Sequence, residues 1–160
     1  MDVPQNHIWG PPLWRILHSL TERVGHISPR QSIKEEQRLW FTLLNMIKLV
    51  LPCPLCKKHY NEYYKNNIPD RFINTSKNLK DDMRIWLYTL HGQVNERLNK
   101  SIGININELP VIYGRYTNWI NDITILSSQM KKGIPQKLID KDDMIRIIKL
   151  VREMMSFYGV

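Results

Sequence analysis

Apolar residues recur along this chain at intervals of three and four, and proline, glycine and asparagine punctuate the stretches between them. Pro11 and Pro12 can open a helix, because a first turn has no use for their missing N–H groups. Leu13, Trp14, Ile16, Leu17 and Leu20 follow at helical spacing, and Gly25 reads as the stop. Ser32 and Glu35 have the spacing of a capping box ahead of a stripe of Trp40, Leu43, Leu44, Ile47 and Leu51, which Pro52 should end. A third, shorter helix is expected to begin around residues 53–56. It carries His59, Tyr60, Tyr63 and Tyr64 until residues 66–69 break it. Asn74, Thr75, Ser76 and Asn78 are cap candidates for a fourth, with Met83, Trp86, Leu87, Leu90, Val94 and Leu98 along one side as far as Asn99. His91 and Asn95, four apart, share a face of it.

Residues 101–106 read as extended or loop. Residues 107–110 read as the start of a further helix running through Tyr113 and Trp119. Gly133, Ile134 and Pro135 make a break before a final amphipathic helix. Its apolar face is Met144, Ile147, Ile148, Val151, Met154 and Met155, opposite Asp143, Arg146, Lys149 and Arg152. No internal repeat, low-complexity run or alternating strand pattern stands out. The expected fold class is therefore all-α, a bundle of four to five helices with a C-terminal helical extension, the compact unit ending near residue 116.

Composition narrows this without changing it. With 160 residues, 42% hydrophobic and 24% charged, the chain has the make-up of one folded domain able to bury a core without staples. The net charge of +8 is spread along the chain among acids, so solubility accounts for it as well as nucleic-acid binding does. Residues 1–7 lack the basic-then-apolar order of a secretory signal. The longest apolar stretches, at 49–51 and 145–151, fall far short of the ~18 residues a bilayer span needs.

The chemistry concentrates in two cysteines. Cys53 and Cys56 are the only pair, and a bond between them would close a loop too small to stabilise much, which favours a chemical role over a stapling one. At a helix start the backbone N–H groups favour a thiolate, and Lys57, Lys58 and His59 add positive potential. Two-residue spacing lets one sulfur resolve a mixed disulfide formed on the other. A zinc site is the alternative, since Cys53, Cys56 and His59 offer three ligands. It would need His7, His18, His26 or His91 as a fourth and would suit a non-enzymatic helical adaptor or a nucleic-acid-binding module. A thioredoxin-like fold requires strands that the periodicity does not show. A CxxC acting on a helical scaffold needs an electron acceptor, and a bound flavin is one that Trp14 and His18 on the first helix, and Trp86, His91 and Asn95 on the fourth, are of a type to hold. Taken singly, each of these is more often a core residue.

Three segments in order, WGPPLWRILH at 9–18, LPCPLCKKH at 51–59 and HGQVNERLNK at 91–100, resemble the Erv/ALR family of FAD-linked sulfhydryl oxidases. The resemblance covers residues 8–116, leaves 117–160 as a helical extension, and is closest in form to versions encoded by large cytoplasmic DNA viruses. It implies a helical bundle holding FAD in its mouth, a homodimer, and action in the cytoplasm of an infected host cell and in the virion. Carried over residue by residue, the flavin segments fall on Gly10, Trp14 and His18, and on His91, Val94, Asn95, Leu98 and Lys100, with His91 and Asn95 at the adenine end and Lys100 at the phosphates. Cys53 would take electrons from a protein dithiol, Cys56 would pass them to the flavin, and dioxygen would leave as hydrogen peroxide. The family's arginine after the first glycine, its aromatic before the redox motif and its fourth-helix cysteine are here Pro11, Leu51 and Tyr88. The extra shuttle cysteines of many members have no counterpart, which implies direct access of substrate to Cys53 or a separate thioredoxin-like or small CxxC-bearing partner. No membrane, specific nucleic acid or metal is expected.

Overall fold

The computed structural model describes residues 2–101 and 103–160. Ile102, within the stretch read as extended or loop, lies outside them. Among the described residues there are eight α-helices and one 3-10 turn and no strand: α1 (Asn6–Thr21), α2 (Ile33–Val50), α3 (Pro54–Asn66), α4 (Asp70–Ile73), α5 (Leu79–Arg97), the 3-10 turn (Ile106–Glu108), α6 (Leu109–Tyr113), α7 (Trp119–Gly133) and α8 (Lys141–Tyr158). The all-α class expected from periodicity is the class observed.

Most boundaries follow the local chemistry. The Ser32 hydroxyl accepts from the Glu35 N–H at 3.1 Å and starts α2. Pro54 stands at the first position of α3, and the Asn78 side chain caps α5 through the Asp81 N–H. Two boundaries differ from expectation. α1 begins five residues before Pro11, because the Gln5 carbonyl accepts from Ile8 and Trp9 (2.9 and 3.0 Å) and closes a turn before either proline is reached. The prolines then forgo bonds to the carbonyls of His7 and Ile8, both on exposed residues that water can serve. The helix expected from 107 through Trp119 is in fact broken. A Cβ on Gly114 would sit 2.4 Å from the Pro110 carbonyl oxygen, so only glycine fits that turn, and the Tyr116 carbonyl accepts from the Trp119 indole at 3.1 Å in place of a helical N–H. α4 was not foreshadowed by any long periodic run.

α1 is the central element. α5 runs antiparallel to it, with Trp14 against His91 near one end and Glu22 receiving a two-point ion pair from Arg84 (2.7 and 2.9 Å) near the other. α7 is antiparallel on another side, where Gln5 meets Gln129 and Arg15 grips Asp122. α8 covers α2 through a buried relay in which Trp40 Nε1 donates to Tyr158 Oη at 2.8 Å and that hydroxyl donates to Glu36 at 2.6 Å. One apolar core runs through all of these, from Ile16 and Leu20 through Leu44 and Met83 to Leu126, Met130 and Met154.

Candidate active site

Cys53 is the residue that caps α3, and its Sγ accepts the N–H of Cys56 at 3.2 Å. The two sulfurs are joined as a disulfide at the N-terminal, electropositive end of a 13-residue helix. Both cysteines are half-buried against the core. The ammonium of Lys57 donates to the carbonyl of Leu138, and burial lowers its pKa while Asp143 works against that shift, so this cation is tied to the α7–α8 connection. From α1, Nδ2 of Asn6 lies 3.7 Å from each sulfur, and Oδ1 of Asn6 accepts from the Trp9 indole at 3.1 Å.

The second half of the site lies further along α1. Asn6, Gly10, Trp14 and His18 recur every fourth residue and so stand above one another on one slowly turning stripe, about 18 Å from first to last. Trp14 stacks on His91 of α5 with ring centres 4.0 Å apart and planes 7° from parallel. His18 Nε2 and His91 Nδ1 are 3.1 Å apart, and the His18 ring stacks on Tyr113 of α6 at 5.0 Å. Burial, reinforced by the neighbouring His91, pushes His18 down to about 3. Burial and then the charge of Lys100 push His91 down to about 4. Both rings are therefore neutral at physiological pH, and together with Trp14 and Tyr113 they form an aromatic ladder whose His18 rung is tilted 32° to His91.

The charge of Lys100 is felt at His91 because of how α5 ends. Asn99 adopts a left-handed φ of 53°, its N–H bonds the Glu96 carbonyl, and the Lys100 N–H bonds the Asn95 carbonyl at 2.9 Å. This Schellman turn folds the chain back over the last turn of the helix. Val94 is half-buried against the core, Asn95 is half-buried, Leu98 is 53% exposed and Lys100 is exposed. Beside His91, Gly92 resembles Gly10: both are half-buried, yet a Cβ on either would meet nothing within 4 Å.

The structure thus brings Gly10, Trp14, His18, His91 and the Asn95–Lys100 turn to one face between α1 and α5, with the disulfide reached from the start of the same α1. Trp86, a candidate for holding a flavin, is elsewhere. It is buried in the core against Tyr63, and its indole donates to the Asn67 carbonyl at 2.7 Å. Sequence reasoning missed Asn6, and Tyr113, placed by it only on the helix after residue 107, is the ring that stacks on His18. The one signal for Asn6 was its i to i+3 spacing from Trp9, invisible while the helix was started at Pro11.

The sequence model of the Erv1/Alr family matches residues 11–110, which contain the disulfide, Trp14, His18 and the whole His91–Lys100 segment. The chain belongs to the Erv1/Alr family. It is an enzyme of the sulfhydryl oxidase class, which sets aside the metal-bound adaptor. An FAD-linked sulfhydryl oxidase of African swine fever virus (isolate Pig/Kenya/KEN-50/1950) is 35% identical over 105 residues, covering 66% of this chain and 79% of the viral protein. The mitochondrial FAD-linked sulfhydryl oxidase ERV1 of Saccharomyces cerevisiae is 25% identical over 100 residues, 62% of this chain and 48% of that one. Sulfhydryl oxidase 1 of Oryza sativa subsp. japonica is 27% identical over 88 residues, 55% of this chain and 15% of the plant protein. No solved structure matches this Erv1/Alr chain. Among the described residues no helix is long and apolar enough to cross a membrane.

Proposed function

We propose that this Erv1/Alr protein oxidises protein dithiols to disulfides, with FAD as its cofactor and dioxygen as the terminal acceptor. The observation that carries the reading is a disulfide at the head of α3 reached by the same helix that presents Trp14 and His18. The chemistry that FAD supplies when bound is that of a two-electron acceptor which dioxygen reoxidises to give hydrogen peroxide. The residues fit such a group. Flat, neutral rings suit an aromatic heterocycle, the open space over Gly10 and Gly92 admits close approach, and Lys100 offers a cation for phosphate. Gly10, Trp14, His18, His91, Val94, Asn95, Leu98 and Lys100 would hold it, the last two from the exposed turn after α5.

A substrate thiolate bonds Cys53 Sγ, the Cys53–Cys56 bond breaks, and Cys56 leaves with the electron pair as a thiolate. The second substrate thiol then displaces Cys53, releasing the oxidised substrate. The α3 N-terminus stabilises both developing anions. The division of labour between the two sulfurs rests on the motif's order in the family. The same resemblance supports a homodimer, a thioredoxin-like or small CxxC-bearing electron donor, residues 8–116 as the oxidase domain with 117–160 as its extension, and a place in the cytoplasm of a virus-infected cell and in the virion.

The test is direct. Cys53→Ser and Cys56→Ser should each abolish dithiothreitol-dependent oxygen consumption while the flavin band at about 450 nm is retained. A fully active single variant, or a colourless protein, would sink the assignment.

A further inference from the structure

We propose that Asn6 is a catalytic amide that stabilises the thiolates released when the Cys53–Cys56 disulfide is reduced; this rests on the proposed oxidase reading. Asn6 lies outside the matched family segment, residues 11–110. Its orientation is fixed by a one-way donor. An indole N–H can only donate, so the Asn6 atom 3.1 Å from Trp9 Nε1 must be the carbonyl oxygen, and the amide nitrogen must face the sulfurs. Nδ2 is 3.7 Å from Cys53 Sγ and 3.7 Å from Cys56 Sγ, within reach of an N–H···S bond to each. The amide has two hydrogens, one for each sulfur.

In the disulfide the sulfurs are weak acceptors. When a substrate thiolate bonds Cys53 and the S–S bond breaks, the electron pair and full negative charge pass to Cys56, and the bond from Asn6 becomes charge-assisted. Release of the substrate disulfide puts the second pair on Cys53, under the other hydrogen. Asn6 therefore favours the reduced pair over the oxidised one and the thiolate over the thiol. Charged or titratable groups on the surrounding segments are Lys57, Lys58 and His59 on α3, His7 beside Asn6 on α1, Asp143 on α8, which faces Lys57, and the Asp2–Lys132 ion pair beside Gly133 of α7, which packs on Pro4 and Pro52. Lys57 is held by the Leu138 carbonyl, and of the side chains on these elements Asn6 is the one that donates to sulfur.

The experiment titrates the thiols and needs neither flavin nor oxygen, so its failure is distinguishable from failure of the oxidase reading, which oxygen uptake reports. Reduced protein is alkylated anaerobically with iodoacetamide from about pH 4 to about pH 10, and the rates at Cys53 and Cys56 are resolved by mass spectrometry. Asn6→Ala should raise the midpoint of the more reactive sulfur by about half to one pH unit. Asn6→Asp keeps an acceptor for Trp9 and the shape of the side chain, but turns an oxygen on the sulfurs, and should raise the midpoint further. Trp9→Phe, which frees the amide to turn over, should fall between the unsubstituted protein and Asn6→Ala. Should Asn6→Ala disturb α1, the Asn6→Asp comparison decides alone, since the anchor to Trp9 survives in it. Superposition of the profiles, or a midpoint in Asn6→Asp no higher than in the unsubstituted protein, overturns the proposal.

Discussion

His18 Nε2 and His91 Nδ1 face each other across 3.1 Å, so protonating both would set two cations ring to ring. Their pKa values, about 3 and about 4, lie below the unfolded value near 6.5, which fixes the sign of the pH dependence. Below pH ~6.5 the unfolded chain binds protons that the folded chain refuses, so stability is complete above that value and declines as pH falls toward the folded pKa values. Allowing for water around the half-buried His91, the loss should be on the order of 2 kcal/mol between about pH 6.5 and about pH 4.5, read as a falling urea midpoint. His18→Gln should flatten that slope, and an equally steep slope in the variant would show the titrating group to be elsewhere. Helix periodicity could place His18 below Trp14 and His91 beside Asn95, because those spacings are local. It could not bring residues 73 apart to hydrogen-bond distance, and for that reason the ladder, with Tyr113 closing it, became visible only in three dimensions.

The end of α5 shows the same limit one scale up. Leu98 and Asn99 were recognisable as a helix end, but the direction of the chain beyond it depends on one backbone angle. With φ at 53°, Asn99 lets Lys100 turn back toward Asn95 and His91, and asparagine tolerates that conformation where a β-branched residue does not. Asn99→Val should cost about 1–2 kcal/mol, displace Lys100 and weaken FAD binding about tenfold. Asn99→Gly, which keeps the turn, should leave affinity near its starting value. Flavin fluorescence titration of the apoprotein measures both, and equal affinities would detach Lys100 from the cofactor. Elsewhere the caps were readable because they are written in adjacent residues: Ser32 and Asn78 do what their side chains predict. The start of α1 and the break before α7 were not. Each depends on a carbonyl, of Gln5 or Tyr116, finding a partner that composition does not announce.

At the scale of the whole molecule, α7 is fastened to α1 and not merely laid against it. Arg15, the neighbour of Trp14, donates through Nε and Nη2 to both oxygens of Asp122 on α7, at 2.9 and 2.8 Å. The two partners are unequally placed, since the Asp122 side chain is 0% exposed and that of Arg15 is 39% exposed. Removing one member of such a pair costs whatever it takes to leave the other charge where it is. Arg15→Ala strands a carboxylate with no water and should cost about 3 kcal/mol or more, whereas Asp122→Ala leaves a guanidinium that can turn outward and should cost about 1–2 kcal/mol. The double substitution, with no stranded charge, should be less damaging than Arg15→Ala alone. Urea unfolding of the three variants measures the order. If the singles prove equal, water reaches Asp122 and α7 is held by its apolar face. If the predicted order holds, the charge pair couples α7 to the turn of α1 that carries Trp14, and flavin retention should fall in the same order as stability.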